Sequence, residues 1–176
     1  MLTRQLINVP VHLGLEHYPN IYCGVAVFLL YPLYVMDKDI NLCEKIGKSV
    51  LLLVFLTAFN LNIPNFIWHG FHYPNSLPCR QSFIYIFFLL TMCYEALSHI
   101  KRMTSRQLGI AVWISLGLLV LIEQVFTVDE TYDFKAIYLS GAFILVYAGL
   151  MIVYNKTNWK LPVTVFLAFI VCIIEC

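Results

Sequence analysis

The chain has 176 residues, 61% of them apolar and 12% charged, with a mean hydropathy of +0.81. Soluble domains average roughly 45–50% apolar and about 25% charged, so this chain cannot hide its apolar surface in one water-facing core. Eleven Lys and Arg against ten Asp and Glu leave a net charge of +1, which excludes a nucleic-acid binder with a basic face, and 3 Trp, 11 Tyr and 13 Phe exclude disorder.

Residues 1–20 are mixed in character, with Pro10, His12 and Glu16, and carry no secretory leader pattern. Six apolar runs follow, at 21–36, 46–62, 82–97, 108–122, 136–154 and 161–174. A bilayer core needs about 20 helical residues, fewer where flanking side chains snorkel. No run shows the two-residue alternation of a barrel strand. The expectation is therefore an all-α, polytopic transmembrane helical bundle of about six spans, forming one membrane-embedded region. The second run is the least clean, because Asn60 and Asn62 lie near its end and Pro64 follows. The cysteines at 23, 43, 79, 93, 172 and 176 show no C-x-x-C pair, and most sit in or beside apolar runs, where Cys acts as a small hydrophobe.

Basic residues orient the bundle. The 37–48 connection carries Lys38, Lys45 and Lys48; 98–107 carries Lys101, Arg102 and Arg106; 155–160 carries Lys156 and Lys160. The alternate connections hold only Arg4, Arg80 and Lys135. Cytoplasmic loops carry the excess of Lys and Arg, so 1–20, 63–81, 123–135 and the C-terminal end are expected outside. The last run has about 14 residues, about 21 Å of helix at 1.5 Å per residue, and stops at Glu175-Cys176 without a polar flank. The expectation is a piece of a longer polytopic protein.

The outward connection 63–81 is aromatic and apolar, yet three prolines oppose a regular helix through it. Irregular backbone at membrane depth is tolerated where protein buries it or where it lines a cavity. An irregular outer loop that receives an amphiphile with a polar head is therefore expected. Arg80 is its one cation; the guanidinium fork suits a phosphate. Two readings stand for it: a clamp on a lipid phosphate entering from the bilayer, or an interfacial anchor bonded to bulk lipid. His69 and His72 have a two-ligand spacing, but no Asp or Glu lies in the loop, Cys79 is seven residues further on, and Pro74 opposes a helical turn past the pair, so no metal is expected and contacts to sugar hydroxyls or loop hydrogen bonds are. Asn65 and Asn75 can bind hydroxyls or make turns.

Group transfer at this face needs a carboxylate as general base, and 63–81 holds none. The outward carboxylates are Glu16, Glu123, Asp129, Glu130, Asp133 and Glu175; 129–133 reads as a solvated acidic loop. Glu95, near the inner end of the third run, is expected to snorkel or to pair with Lys101 or Arg102. No phosphate-binding, nucleophile-elbow or zinc-protease motif is present, and the base stays unassigned.

The stretch from Asn60 to Phe83 resembles the YfhO family of bacterial membrane proteins, whose pattern reads roughly N-x-x-x-H-G-F-x-x-P-N-x-x-P-Y-R-x-S-F. Pro19-Asn20-Ile21-Tyr22-Cys23-Gly24 is similar to the family's P-N-I-Y-x-G. On this resemblance His69, Gly70, Pro74, Asn75 and Arg80 are motif positions, and Cys79 stands where the family has Tyr. The family is similar to membrane glycosyltransferases of the GT-C type. The resemblance implies transfer of a sugar from a polyprenyl-phosphate donor to a cell-envelope glycopolymer such as teichoic acid, in the bacterial cytoplasmic membrane. It implies no cofactor, and a catalytic acidic residue upstream of the matched region. Arg80, His69, His72, Asn75 and Asn65 are then the expected substrate contacts. The alternative is a non-catalytic membrane protein, either a lipid or polymer transport accessory or an inactive remnant.

Overall fold

The computed structural model describes residues 6, 21–68, 70–72, 81–126, 134–156 and 161–175. It is all-helical among the described residues. The elements are α1 (Ala26–Met36), α2 (Leu42–Asn60), α3 (Asn62–Trp68), α4 (Ser82–Ser98), a 3-10 turn (Ile100–Arg102), α5 (Ser105–Phe126), α6 (Phe134–Lys156) and α7 (Leu161–Glu175).

Among the described residues, two helical segments are long and apolar enough to cross a membrane, Ser105–Gln124 within α5 and Lys135–Lys156 within α6. Of the about six spans expected, these two meet that length and composition. The other apolar helices are short, and α1, with 11 residues, reaches only about 16 Å. Its run begins at 21, but 21–24 is non-helical and Gly24 has φ +94°, a backbone setting that ends helical geometry. The fourth and fifth runs extend beyond the predicted limits at both ends, because helical propensity continues past the apolar stretch that a hydropathy window measures.

The outer connection departs from the irregular loop expected over 63–81. It is not irregular from its start, because α3 runs through Pro64. Proline in the first turn removes an N–H that has no intrahelical partner anyway. The helix then stops at a Schellman cap. Gly70 N–H donates to Ile67 O at 3.1 Å and Phe71 N–H to Phe66 O at 3.0 Å, with Gly70 at φ +68°. The accompanying apolar contact is present as well, the Phe66 and Phe71 rings meeting edge-on at 5.9 Å. Trp68 stacks on Phe55 at 4.9 Å and folds α3 back on α2.

Short α1 is the hub, packing on α4, α5 and α6; α2 packs on α3 and α4, and α6 on α5 and α7. Leu29, Leu33 and Tyr34 of α1 are fully buried beside Phe55, Met92 and Ile100. Its Pro32 has no N–H to give Phe28 O, and the Ser115 hydroxyl of α5 supplies a donor instead, 2.7 Å away. The outward faces are apolar too: Leu53, Phe87, Trp113, Leu121, Leu145 and Phe169 are all exposed. Such a surface is stable against lipid tails and not against water.

One end of the bundle is stitched by charge. The Asp37 carboxylate faces His99 Nδ1 at 2.7 Å, Asp39 pairs with Arg102 at 2.7 Å, and Lys48 bridges Glu44 and Glu95 at 2.6 Å each. Lys45 Nζ also donates to Asp37 O. Glu95 thus pairs with Lys48 of α2 rather than with Lys101 or Arg102, because the α2–α4 contact brings Lys48 alongside it. Thr104 and Gln107 form a reciprocal capping box at the start of α5, and Gln107 Nε2 donates to Met36 O. These bonds tie the α1–α2 connection to the α4–α5 connection.

Candidate functional site

A cavity of about 190 Å³ lies between α1, α2, α4 and α5. Its wall is Val27, Phe28, Tyr31 and Pro32 from α1, Leu52, Leu53 and Leu56 from α2, Tyr85 and Leu89 from α4, and Leu118 and Ile122 from α5, with Ser49 the one aliphatic alcohol. Most of these residues belong to the halves of α1, α2, α4 and α5 remote from the charged end. The cavity therefore lies toward the end where α3 and the start of α4 bracket the 63–81 connection. A space lined this way offers dispersion contacts and almost no hydrogen bonds, so it suits a hydrocarbon chain.

Next to this cavity lies a buried polar cluster. Glu175, at the end of α7, is 3% exposed. Its Oε1 accepts from the Tyr22 hydroxyl at 2.6 Å and from the Val25 N–H at 2.5 Å, and its Oε2 accepts from the Tyr147 hydroxyl at 2.5 Å. Among the described residues it has no Lys, Arg or His ion-pair partner. Tyr147 stands 13 residues after the start of α6 and 9 before its end, about 20 and 14 Å along the axis, so the carboxylate sits opposite the middle of a membrane-length helix. There it meets the first turn of α1, whose own N-cap residue, Val25, supplies no side-chain cap. A helix start carries orphan N–H groups and a partial positive charge. Glu175 satisfies one of these from across the bundle. Gly24 is needed here for its backbone: its φ of +94° is strained for any other residue, while a Cβ there would stand 3.7 Å from Glu175 Oε1, an ordinary contact.

Of the residues expected to contact substrate, Arg80, His69 and Asn75 lie outside the described residues. Asn65 is in α3, and His72 is exposed just after the Schellman cap. The described part of the resemblance motif thus has a local structural role: Gly70 and Phe71 end α3, and Gly24 turns the chain into α1. Position in the sequence places Glu175 among the outward carboxylates, yet it is buried between helices. An acidic residue ending an apolar run, with tyrosines in two other runs, is the only trace of this cluster in the sequence. Cys79, which stands where the family has Tyr, lies outside the described residues.

The charged end holds a second cluster of ligand-type side chains. Asp37, Asp39 and His99 bring their ligand atoms within 4.8 Å of one another, one imidazole and two carboxylates, a set suited to a divalent ion. The Arg102 guanidinium already neutralises Asp39, and His99 already bonds Asp37, so the trio works as an ion-pair lock.

Apolar outward faces, two membrane-length helices, a short central helix and a buried carboxylate define a helical membrane protein. The family model described as "Bacterial membrane protein YfhO" matches residues 6–176, and the chain belongs to that family. No curated protein and no solved structure matches it.

Proposed function

We propose that this chain is a membrane portion of a GT-C-type glycosyltransferase, embedded as a multi-pass bundle in the bacterial cytoplasmic membrane. It transfers a sugar from a polyprenyl-phosphate donor to a cell-envelope glycopolymer, such as teichoic acid, on the outer face. The observation that carries this reading is the apolar cavity between α1, α2, α4 and α5, in a chain of the YfhO family. A prenyl tail lying there leaves its phosphate toward the 63–81 connection. Arg80 grips that phosphate as a planar fork. His69, His72, Asn75 and Asn65 then serve the sugar hydroxyls. The general base comes from outside 63–81, which holds no carboxylate, and Glu175 is engaged by three donors.

The second reading, a non-catalytic lipid-transport component, is favoured by Glu175, since ionisable groups facing the interior of a membrane bundle often mark a transport path. The two readings separate on transfer. In the full-length enzyme reconstituted in nanodiscs, Arg80→Ala is expected to weaken donor binding and transfer by about tenfold or more, and Arg80→Lys to restore only part, because an ammonium does not reproduce the fork. Unchanged donor affinity and transfer in Arg80→Ala would dismiss the clamp. Donor binding without any transfer would favour the second reading.

A further inference from the structure

We infer that Glu175 is a positioning residue for the lipid tail: it fixes the start of α1, and so the wall of the apolar cavity. The inference rests on the lipid-linked reading above. The linkage is short and continuous. Glu175 Oε1 holds the Val25 N–H, and Val25 O in turn accepts from Phe28 N–H at 3.0 Å. Gly24 O accepts from Val27 N–H at 3.5 Å. Val27 and Phe28 are the first two α1 residues of the cavity wall, two and three positions after the residue that Glu175 grips.

Glu175 Oε1 is the side-chain acceptor at this helix start. No side chain caps it locally, and the preceding 21–24 is non-helical. Non-helical backbone at this depth persists only with its polar groups satisfied from within the protein. Glu175 satisfies the Val25 N–H where that backbone enters α1, and Tyr22 and Tyr147 fix the carboxylate in turn. The three partners come from the segment before α1, from the N-cap of α1 and from α6, so one carboxylate sets the relation of α1 to two neighbours. With the charge removed, the N-terminal turn of α1 loosens, and the cavity wall at Val27 and Phe28 loses its register.

The test uses the full chain in nanodiscs and a long-chain prenyl phosphate carrying a photoreactive diazirine in its tail. Cross-linked residues are mapped by mass spectrometry. Wild type is expected to label residues of the cavity wall. Glu175→Gln keeps the size but loses the charge, and Tyr22→Phe removes one donor while keeping the ring. Both are expected to lower labelling at the wall about fivefold to tenfold, with a matching rise in the apparent dissociation constant for the long-chain lipid. Dimethylallyl phosphate, whose single five-carbon unit fills only part of the cavity, is expected to bind both variants as it binds wild type. A general loss of structure would weaken both lipids equally, so the chain-length contrast separates positioning from unfolding. Glu175→Asp, which retains the charge, is expected to recover part of the labelling.

Equal labelling in wild type and both variants would overturn the inference and leave the lipid-linked reading standing. Labelling in wild type that avoids the cavity would overturn both. Equal weakening for long and short chains would also overturn the inference, since it marks a structural role only.

Discussion

Pro32 places a carbonyl without a helical donor in the middle of the bundle, and Ser115 is its replacement donor. Phe28 O loses its i+4 partner because Pro32 has no N–H. The Ser115 hydroxyl, fully buried, lies 2.7 Å from Phe28 O and 2.7 Å from Ala111 O. Ala111 O retains the helical Ser115 amide, so the Phe28 contact is the one that matters. Side-chain hydrogen bonds between membrane helices average about 0.6 kcal/mol and reach about 1.7, while leaving a buried carbonyl unsatisfied costs about 1–3 kcal/mol. Ser115→Ala is therefore expected to destabilise the bundle by about 1–1.5 kcal/mol. In a Pro32→Ala background the amide restored at position 32 serves Phe28 O, and the same change should cost about half as much or less. Titrating mixed micelles with sodium dodecyl sulfate and following helicity and tryptophan fluorescence gives all four corners of the cycle. A Ser115→Ala cost that is identical in both backgrounds would refute the reasoning, since the hydroxyl would then be serving something other than the orphaned carbonyl.

Gly70→Ala should shorten or fray α3 by forcing a Cβ into φ +68°, a setting that costs an ordinary residue about 1–2 kcal/mol. Among the described residues no atom beyond its chain neighbours lies within 4 Å of that Cβ, so the loss is one of backbone strain, and Gly70→Asn should recover part of it; protection of the Phe71 amide in hydrogen exchange reads the cap directly, and unchanged protection in Gly70→Ala would argue against it. At the charged end, the hydrogen bond from Arg102 holds the Asp39 carboxyl below its usual 3.8. A folded value below the unfolded one means that the pair's stabilisation is present in full above the unfolded value and is lost as pH falls through the folded one. A carbonyl-carbon NMR titration should show Asp39 returning to the ordinary range in Arg102→Gln, and an unchanged midpoint would show that the pair does not form in solution; the gain in stability is small because water screens both groups.

Much of the fold was legible because its causes are local. Apolar runs with too few charges demand a lipid environment, and a run of that kind has to close its backbone hydrogen bonds within itself, so all-helical structure follows from composition and run length alone. The H-G-F sequence at 69–71 is another local signal: Gly70 supplies the positive φ, and Phe71 lies where it can pack on Phe66. The charge asymmetry gathered the stitched end, although the pairing partners were not readable from it. Glu95 meets Lys48 because α2 packs on α4, and no window along the chain reports that contact.

Helix length and the buried site belong to tertiary structure. Hydropathy counts apolar residues but does not register that Gly24 breaks the first run, leaving α1 a half-length hub. Glu175 is 153 positions from Tyr22, 150 from Val25 and 28 from Tyr147. Read alone, it is an acidic residue ending an apolar run, with nothing to mark it as buried. Only packing α7 on α6 and α1 on α6 brings the carboxylate to its three donors. A carboxylate is expensive to bury unless its hydrogen bonds are met, and whether they are met depends on which helices are neighbours. Sequence by itself determined the solvent this protein lives in and the helices that solvent requires; the assembled bundle decided where a charge is kept inside it, and which wall of the cavity that charge holds in place.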